Sequence, residues 1–322
     1  MLQPVVPDIS PVANDRITPM TTDTPLIFLM GTTGQTGRLI LEEFDRDPGN
    51  ARIRIGVRKR KDLERLQAEG REAVLFDLDD PRTFGPALCG VDRMNILTGY
   101  TIAMTHQTKT VVDAAKKAGV KHIVNQGVFA ADDATDSKYC WFALVEAYIE
   151  ASGIAWTHLH PNVFLENMLS VSPPVGGTFS TFWGKNRVGY VALHDLAAVT
   201  AKVLRDGPER HGSQDYYLST ETMTAPELAA ALTEVLGRPI RCNMLGAADL
   251  EALFKSGTVE VEDWYARSGF ELLTQFEDGR MGYMGTVKDD VPYLLGRPAI
   301  GIRAWAEMHK EQLLALVDQP ST

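Results

Sequence analysis

The sequence predicts an α/β chain: a doubly wound parallel sheet followed by a smaller mixed α/β region toward the C-terminus. Two observations carry this expectation. Short apolar runs alternate with amphipathic helical spacing from Pro25 to about residue 206, the rhythm of parallel strands joined by crossover helices. The clearest unit is Pro25-Leu-Ile-Phe-Leu-Met-Gly31-Thr-Thr-Gly34-Gln-Thr-Gly37-Arg-Leu-Ile-Leu41. It reads as a buried strand, a glycine turn and the start of a helix.

Such a turn is a place for an anion. The first turn of a helix leaves backbone N–H groups unpaired and carries the positive end of the helix dipole, so a pyrophosphate satisfies both. Gly31 is expected to make the tight turn, Gly34 to let backbone approach the phosphate, and Gly37 to let the helix pack closely. The spacing is G-x-x-G-x-x-G, and no Gly-Lys-Ser/Thr follows, so a P-loop is excluded.

A chain of 322 residues accommodates one large domain or two smaller ones, and 44% hydrophobic with 23% charged residues describes an ordinary globular protein. A formal net charge of −10 argues against a nucleic-acid surface. Cys89, Cys140 and Cys242 form no C-x-x-C pair, which fits free thiols in a reducing compartment. Residues 1–24 lack a basic n-region and an apolar h-region; they read as a flexible extension, not a signal peptide or membrane span, and a cytoplasmic location is expected.

Along the chain, spacing predicts a helix over 36–47, a strand over 52–57 and a helix over 61–70. The residues closing that second strand decide between cofactors, because an acid there binds a ribose 2′-hydroxyl and a base accepts a 2′-phosphate. Arg58-Lys59-Arg60-Lys61 points to NADP(H); a solvated helix start is the bland alternative. A third strand over 73–80 ends at Asp77, placed to meet the adenine, and at Asp79 and Asp80, read as caps of the helix after Pro81. Residues 93–100 read as a fourth strand, 101–119 as a helix and 122–128 as a fifth strand.

The acidic loop Asp132-Asp133-Ala-Thr-Asp136 lacks calcium-loop spacing and reads as a solvated helix cap. The helix over 138–152 carries Trp141, Leu144, Val145, Tyr148 and Ile149 as its expected core stripe. In the sixth strand, 154–161, His158 and His160 share a face, but no third ligand accompanies them, so no metal site is expected. An irregular stretch over 168–187 precedes a seventh element over 188–195, with Asp195 as the next cap. From 207 to 322 the chain reads as a smaller substrate-binding domain with helices near 225–237, 247–257, 260–275 and 302–317. The large apolar groups from Trp264 to Met284 are expected to be mostly core, with a few lining an apolar substrate pocket.

These residues together resemble the NmrA-like, atypical branch of the short-chain dehydrogenase/reductase superfamily. The likeness rests on the glycine loop, Val57-Arg58, Asp77-Leu-Asp79-Asp80-Pro81, Glu146 through Ser152-Gly153, and His160-Pro161-Asn162-Val-Phe164-Leu-Glu166-Asn167. It continues with Val191-Ala-Leu-His-Asp195, Leu236-Gly-Arg-Pro239 and Leu295-Gly-Arg-Pro298. The resemblance implies a Rossmann domain, mainly residues 25–206 with 168–187 turned to the substrate side, and a small C-terminal substrate domain. It implies NADP(H) held by Gly31, Thr33, Gly34, Gln35, Thr36 and Gly37 at the pyrophosphate and by Arg58 and Lys59 at the 2′-phosphate. Asp77 and Leu78 would face the adenine, Thr98 and Gly99 the ribose, and Gln126, Pro161 and Asn162 the nicotinamide. Phe164, Trp183, Met281 and Met284 are the expected substrate contacts.

The departures constrain the chemistry. Tyr139 is followed four residues later by Ala143 where a lysine normally lowers the phenol pKa, and Gly127 stands where a serine is usual. A hydride acceptor that spreads negative charge needs no strong oxyanion site. The expected activity is therefore an NADPH-dependent reductase of a small apolar conjugated acceptor such as a quinone, enone, imine or dye. Tyr100, Tyr139, His160 and Tyr283 are the candidate proton donors. A non-catalytic NADP(H)-sensing regulator and an isomerase or lyase with retained cofactor are the alternatives, and a homodimer is compatible with the sequence.

Overall fold

A strand that is apolar on both faces needs cover on both, and here helices supply it. A computed structural model of the protein describes residues 24–130, 134–257 and 262–320. The first half runs β1 (Leu26–Leu29), α1 (Gln35–Arg46), β2 (Arg52–Val57), α2 (Arg60–Ala68), β3 (Glu72–Leu75), α3 (Phe84–Leu88), β4 (Arg93–Ile96), α4 (Met104–Ala118), β5 (His122–Gln126) and α5 (Ser137–Ala151). Next come β6 (Ala155–Pro161), β7 (Val163–Phe164), α6 (Asn167–Ser170), β8 (Thr178–Thr181), β9 (Val188–Val191), α7 (Leu193–Asp206), α8 (Pro208–His211), β10 (Gln214–Leu218) and β11 (Glu221–Met223). The chain ends with α9 (Ala225–Leu236), β12 (Arg241–Met244), α10 (Ala247–Lys255), α11 (Asp263–Glu277), α12 (Asp290–Leu295), α13 (Ile302–Met308) and α14 (Lys310–Val317).

Seven parallel strands form the main sheet in the order β10-β6-β5-β4-β1-β2-β3. Alternate residues of β1 enter opposite cores: Leu26 and Phe28 face the one containing Phe76, Met94 and Phe142, Ile27 and Leu29 the one containing Phe44, Leu159 and Leu196. The winding reverses between β1 and β4, which opens a crevice at their carboxyl ends. These two strands pair only at Ile27↔Arg93 and Phe28↔Met94. Beyond that the buried Asn95 side chain takes over, accepting from the Met30 N–H at 2.9 Å and donating to the Met30 carbonyl at 3.3 Å. The strands thus part without orphaning buried backbone groups.

A smaller layer is built from β7, β9 and β11, and from the β8–β12 pair. The chain is interleaved: β10 lies beyond residue 207 yet completes the main sheet on β6.

Four local expectations need correction. The inward face of α5 is Tyr139, Phe142, Val145 and Ile149, while Leu144 is 63% exposed; apolar residues surround this helix, so spacing alone did not select the face. Ala192, not Asp195, caps α7; Asp195 is buried, accepting from the Ile300 N–H and pairing with Arg297 at 2.8 Å. Asp80 caps the turn at Pro81 alone, because Asp79 accepts from Gln107 Nε2 at 2.7 Å. The helix expected over 302–317 is two, meeting at His309. The extension at 1–24, except Thr24, lies outside the described residues, as do Asp132, Asp133 and Glu260.

Candidate active site

The glycine turn is fixed by contacts that exclude larger residues. Gly31 adopts φ +75°, and a Cβ there would meet the Leu97 side chain at 2.9 Å. The Gly34 N–H donates to the Gly31 carbonyl at 2.9 Å, and a Cβ on Gly37 would collide with that same carbonyl. The first turn of α1 carries no acidic side chain, so its positive end is left for an anion.

A cleft of about 400 Å³ runs across the carboxyl ends of β1 to β4. Of the predicted cofactor residues, Gly31, Thr33, Arg58, Asp77, Leu78 and Gly99 line it. Gly34, Gln35, Thr36 and Gly37 form the start of α1 beside it, Lys59 is the exposed N-cap of α2, and Thr98 is half-buried behind Gly99. Sequence reasoning missed Gly56, Phe76, Leu97, Thr101, Ala103 and Gln107. Gly56 carried a signal, since a glycine inside a strand marks a close approach; its Cβ would collide with the Phe28 ring.

The residues present fit NADP(H). Arg58 projects from the end of β2 into the cleft and makes no ion pair among the described residues, which suits a 2′-phosphate. The glycine cradle closes the neighbouring strand β1 on the same cleft, where the α1 N-terminus would receive a pyrophosphate.

Past Gly127 lies a second, smaller cavity of about 180 Å³, lined by Val128, Tyr139, Phe142, Glu146, His160, Asp215 and Tyr217 among others. His160 Nε2 is 2.9 Å from Asp215 Oδ1, and Nδ1 is 3.1 Å from the Val128 carbonyl and 3.6 Å from Glu146 Oε1. All of these partners accept, so the ring is best satisfied as a doubly protonated imidazolium. Burial opposes that charge, but the Asp215 and Glu146 carboxylates and the Val128 carbonyl outweigh it and hold the pKa above its ordinary value. Tyr217 stacks on the ring with centroids 4.7 Å apart.

The other three candidate donors gather nearby, and two of them are made weaker acids by burial. Burial pushes the Tyr139 phenol far up, helped by Tyr100, Tyr283 and Asp136. Burial, then Asp136 and Tyr265, also raises Tyr100, although the residue as a whole is half exposed. Tyr283 donates to Met281 Sδ at 3.3 Å and stacks on Phe129. Lys138, one residue before Tyr139, is buried, and its ammonium lies 5.8 Å from the Tyr100 ring and 4.5 Å from the Tyr265 ring.

The remaining predicted contacts divide. Gln126 borders a small interior void and Pro161 ends β6 next to His160. The Asn162 amide is occupied structurally, donating to Ser219 Oγ at 3.1 Å and to the Met284 carbonyl at 3.0 Å while accepting from the Val163 N–H. Phe164 and Trp183 are half-buried against the cores, and Met281 and Met284 are core residues at 1% and 3% exposure. None of the four lines the cleft or the cavity by His160, whose aromatic members are Tyr139, Phe142 and Tyr217.

The NmrA-like family model matches residues 23–269. The chain belongs to the NmrA-like family. It is similar to an NAD(P)H azoreductase of Xenophilus azovorans, at 30% identity over 88% of this chain and 98% of that protein. A (4-alkanoyl-5-oxo-2,5-dihydrofuran-3-yl)methyl phosphate reductase of Streptomyces griseus is also 30% identical, over 89% and 98%. Among solved structures, the Escherichia coli quinone oxidoreductase QOR2 complexed with NADPH matches with a TM-score of 0.75 at 25% identity, covering 88% of this chain and 99% of that one. This NmrA-like chain has a Rossmann sheet whose cleft fits NADP(H). No helix among its described residues is long and apolar enough to cross a membrane.

Proposed function

We propose that this NmrA-like oxidoreductase reduces a small apolar, conjugated acceptor, such as a quinone, enone, imine or azo or other dye, with His160 supplying the proton. The observation that carries the reading is the pairing of an NADP(H)-shaped cleft with a cavity holding a buried histidine between carboxylates and aromatic rings, with no Ser-Tyr-Lys set among the described residues. The names of the azoreductase and quinone oxidoreductase relatives support the acceptor class.

When bound, the reduced dinucleotide supplies the hydride. Arg58 fixes its 2′-phosphate end, and the Gly31–Gly37 turn with the α1 N-terminus receives its pyrophosphate, so the reactive ring is positioned by contacts remote from it. Tyr139, Phe142 and Tyr217 give the cavity its aromatic part, suited to a flat acceptor, beside the polar groups Glu146, Glu150, His160 and Asp215. A conjugated acceptor spreads the incoming charge, so a single acid suffices. His160, oriented by the Val128 carbonyl, donates it from Nε2 once the acceptor takes the place of the partly exposed Asp215 carboxylate there. Beyond residue 207, Asp215 and Tyr217 reach this cavity, both from β10 of the main sheet.

The test is isotopic. With NADPH deuterated at C4 of the transferred face, turnover of a naphthoquinone or azo dye in ordinary water yields oxidised cofactor that has lost the label, and a nonexchangeable enone product carries one deuterium by mass spectrometry. Enone product without label would refute direct hydride transfer.

A further inference from the structure

We infer that Glu166, His194 and His309 form a transition-metal site, suited to Zn²⁺, at the junction of α6, α7 and the α13–α14 bend. One ligand atom from each residue lies within 4.8 Å of the other two. Their sequence positions are far apart, so the fold and not local spacing brings them together: Glu166 follows β7, His194 lies in the first turn of α7, and His309 occupies the bend between α13 and α14.

The state of the three polar atoms points to a ligand. His194 Nδ1 and His309 Nε2 are both buried with no hydrogen-bond partner. His194 Nδ1 stands 4.0 Å from Glu166 Oε1, too far for a hydrogen bond. Buried polar atoms of this kind are normally paired, and two on neighbouring rings facing one carboxylate are rare without a shared occupant. A proton on one ring would satisfy that ring and leave the other unpartnered. A cation with several coordination positions satisfies all three.

The carboxylate is already oriented. Glu166 is 8% exposed; its Oε2 accepts from the Leu193 N–H at 3.0 Å and its Oε1 from Trp305 Nε1 at 3.0 Å. Such supporting hydrogen bonds are typical behind metal-binding carboxylates. Trp305 also packs on His309 with ring centroids 4.9 Å apart. Two imidazoles and a carboxylate fit tetrahedral Zn²⁺ with water as the fourth ligand; the edge of such a tetrahedron is about 3.4 Å, so the side chains close by about 1 Å on binding. The site ties the strand exit at Glu166 and the start of α7 to the C-terminal helices, and it lies among residues that line neither of the two cavities by the cleft.

The experiment uses the full chain stripped with chelator and titrated with Co²⁺, followed by Zn²⁺ competition. The expected result is one Co²⁺ per chain with visible d–d absorption of a tetrahedral N/O site, displaced by one equivalent of Zn²⁺. His309→Ala and His194→Ala each weaken binding at least 100-fold while leaving NADPH affinity unchanged, which also reports correct folding. Absence of a tetrahedral cobalt spectrum in the unaltered chain, or metal affinity in both variants equal to that of the unaltered chain, would overturn the assignment.

Discussion

Gly127 and Glu146 compete for one volume: a Cβ on Gly127 would collide with Glu146 Oε1 and lie 3.3 Å from His160 Nδ1. Where related dehydrogenases are expected to hold a serine, this chain places a carboxylate, and that carboxylate helps charge a histidine. The missing serine and the charged His160 are therefore two consequences of one packing choice.

Gly127→Ser tests that choice. The new side chain must displace Glu146 from His160, and overpacking of this kind costs about 1–3 kcal/mol. The expected outcome is a lower melting temperature and a reductase rate reduced by about 10-fold or more, with NADPH affinity little changed. Adding Glu146→Ala restores the stability but not the rate. Equal stability of Gly127→Ser and the parent in calorimetry would show that the volume is free.

The acid role of His160 fixes the sign of the pH dependence. Its pKa is raised, so the donating form is present below that pKa and the rate falls as pH rises through it. Asp215→Asn removes an acceptor that holds the charge, and the falling limb moves to lower pH. His160→Gln abolishes the limb. A pH–rate profile identical in the parent and in Asp215→Asn would separate His160 from proton transfer.

Arg58→Ala discriminates between cofactors. A charge-assisted hydrogen bond to a phosphate contributes about 1.5–3 kcal/mol, so NADPH binding weakens by about 10- to 100-fold while NADH binding is nearly unaffected. Fluorescence titration of both cofactors measures this. Equal losses would place the 2′-phosphate elsewhere in the cleft.

The sheet and the cofactor end were legible in the sequence because their signals are local. The strand at Arg52–Val57 was expected with its observed bounds, and the Gly31, Arg58 and Asp77 positions all line the cleft. The acceptor end was not legible, since His160, Asp215 and Glu146 come from β6, β10 and α5 and meet only in three dimensions. His160 was a candidate by its position, but nothing in spacing reveals that Asp215 is opposite it. Met281 and Met284 were expected as substrate contacts from their apolar surroundings, and they are packed at 1% and 3% exposure; apolar composition does not distinguish a buried residue from a pocket wall.

Two other histidines set the acid limit of stability. His122 and His158 are buried in β5 and β6, and burial first, aided by neighbouring charges, lowers His122 to about 3; burial also lowers His158 to about 4. Both are neutral when folded and charged when unfolded below about 6.5, so stability present at neutral pH is lost as pH falls through that value toward the folded pKa values. Between pH 7 and pH 5 each costs about 2 kcal/mol, an effect that His160, with its opposite shift, partly offsets. Urea unfolding at the two pH values measures the loss, and His158→Gln removes its share. Parent stability unchanged at pH 5 would contradict the buried neutral state.

The central claim is that the chain reduces conjugated acceptors with NADPH, and loss of absorbance at 340 nm tests it most directly. With a panel of quinones, azo dyes, triphenylmethane dyes, enones and imines, the account predicts saturable NADPH oxidation with at least one acceptor and a much slower rate in His160→Gln. Tight NADPH binding without turnover of any acceptor would contradict it and leave a cofactor sensor in its place.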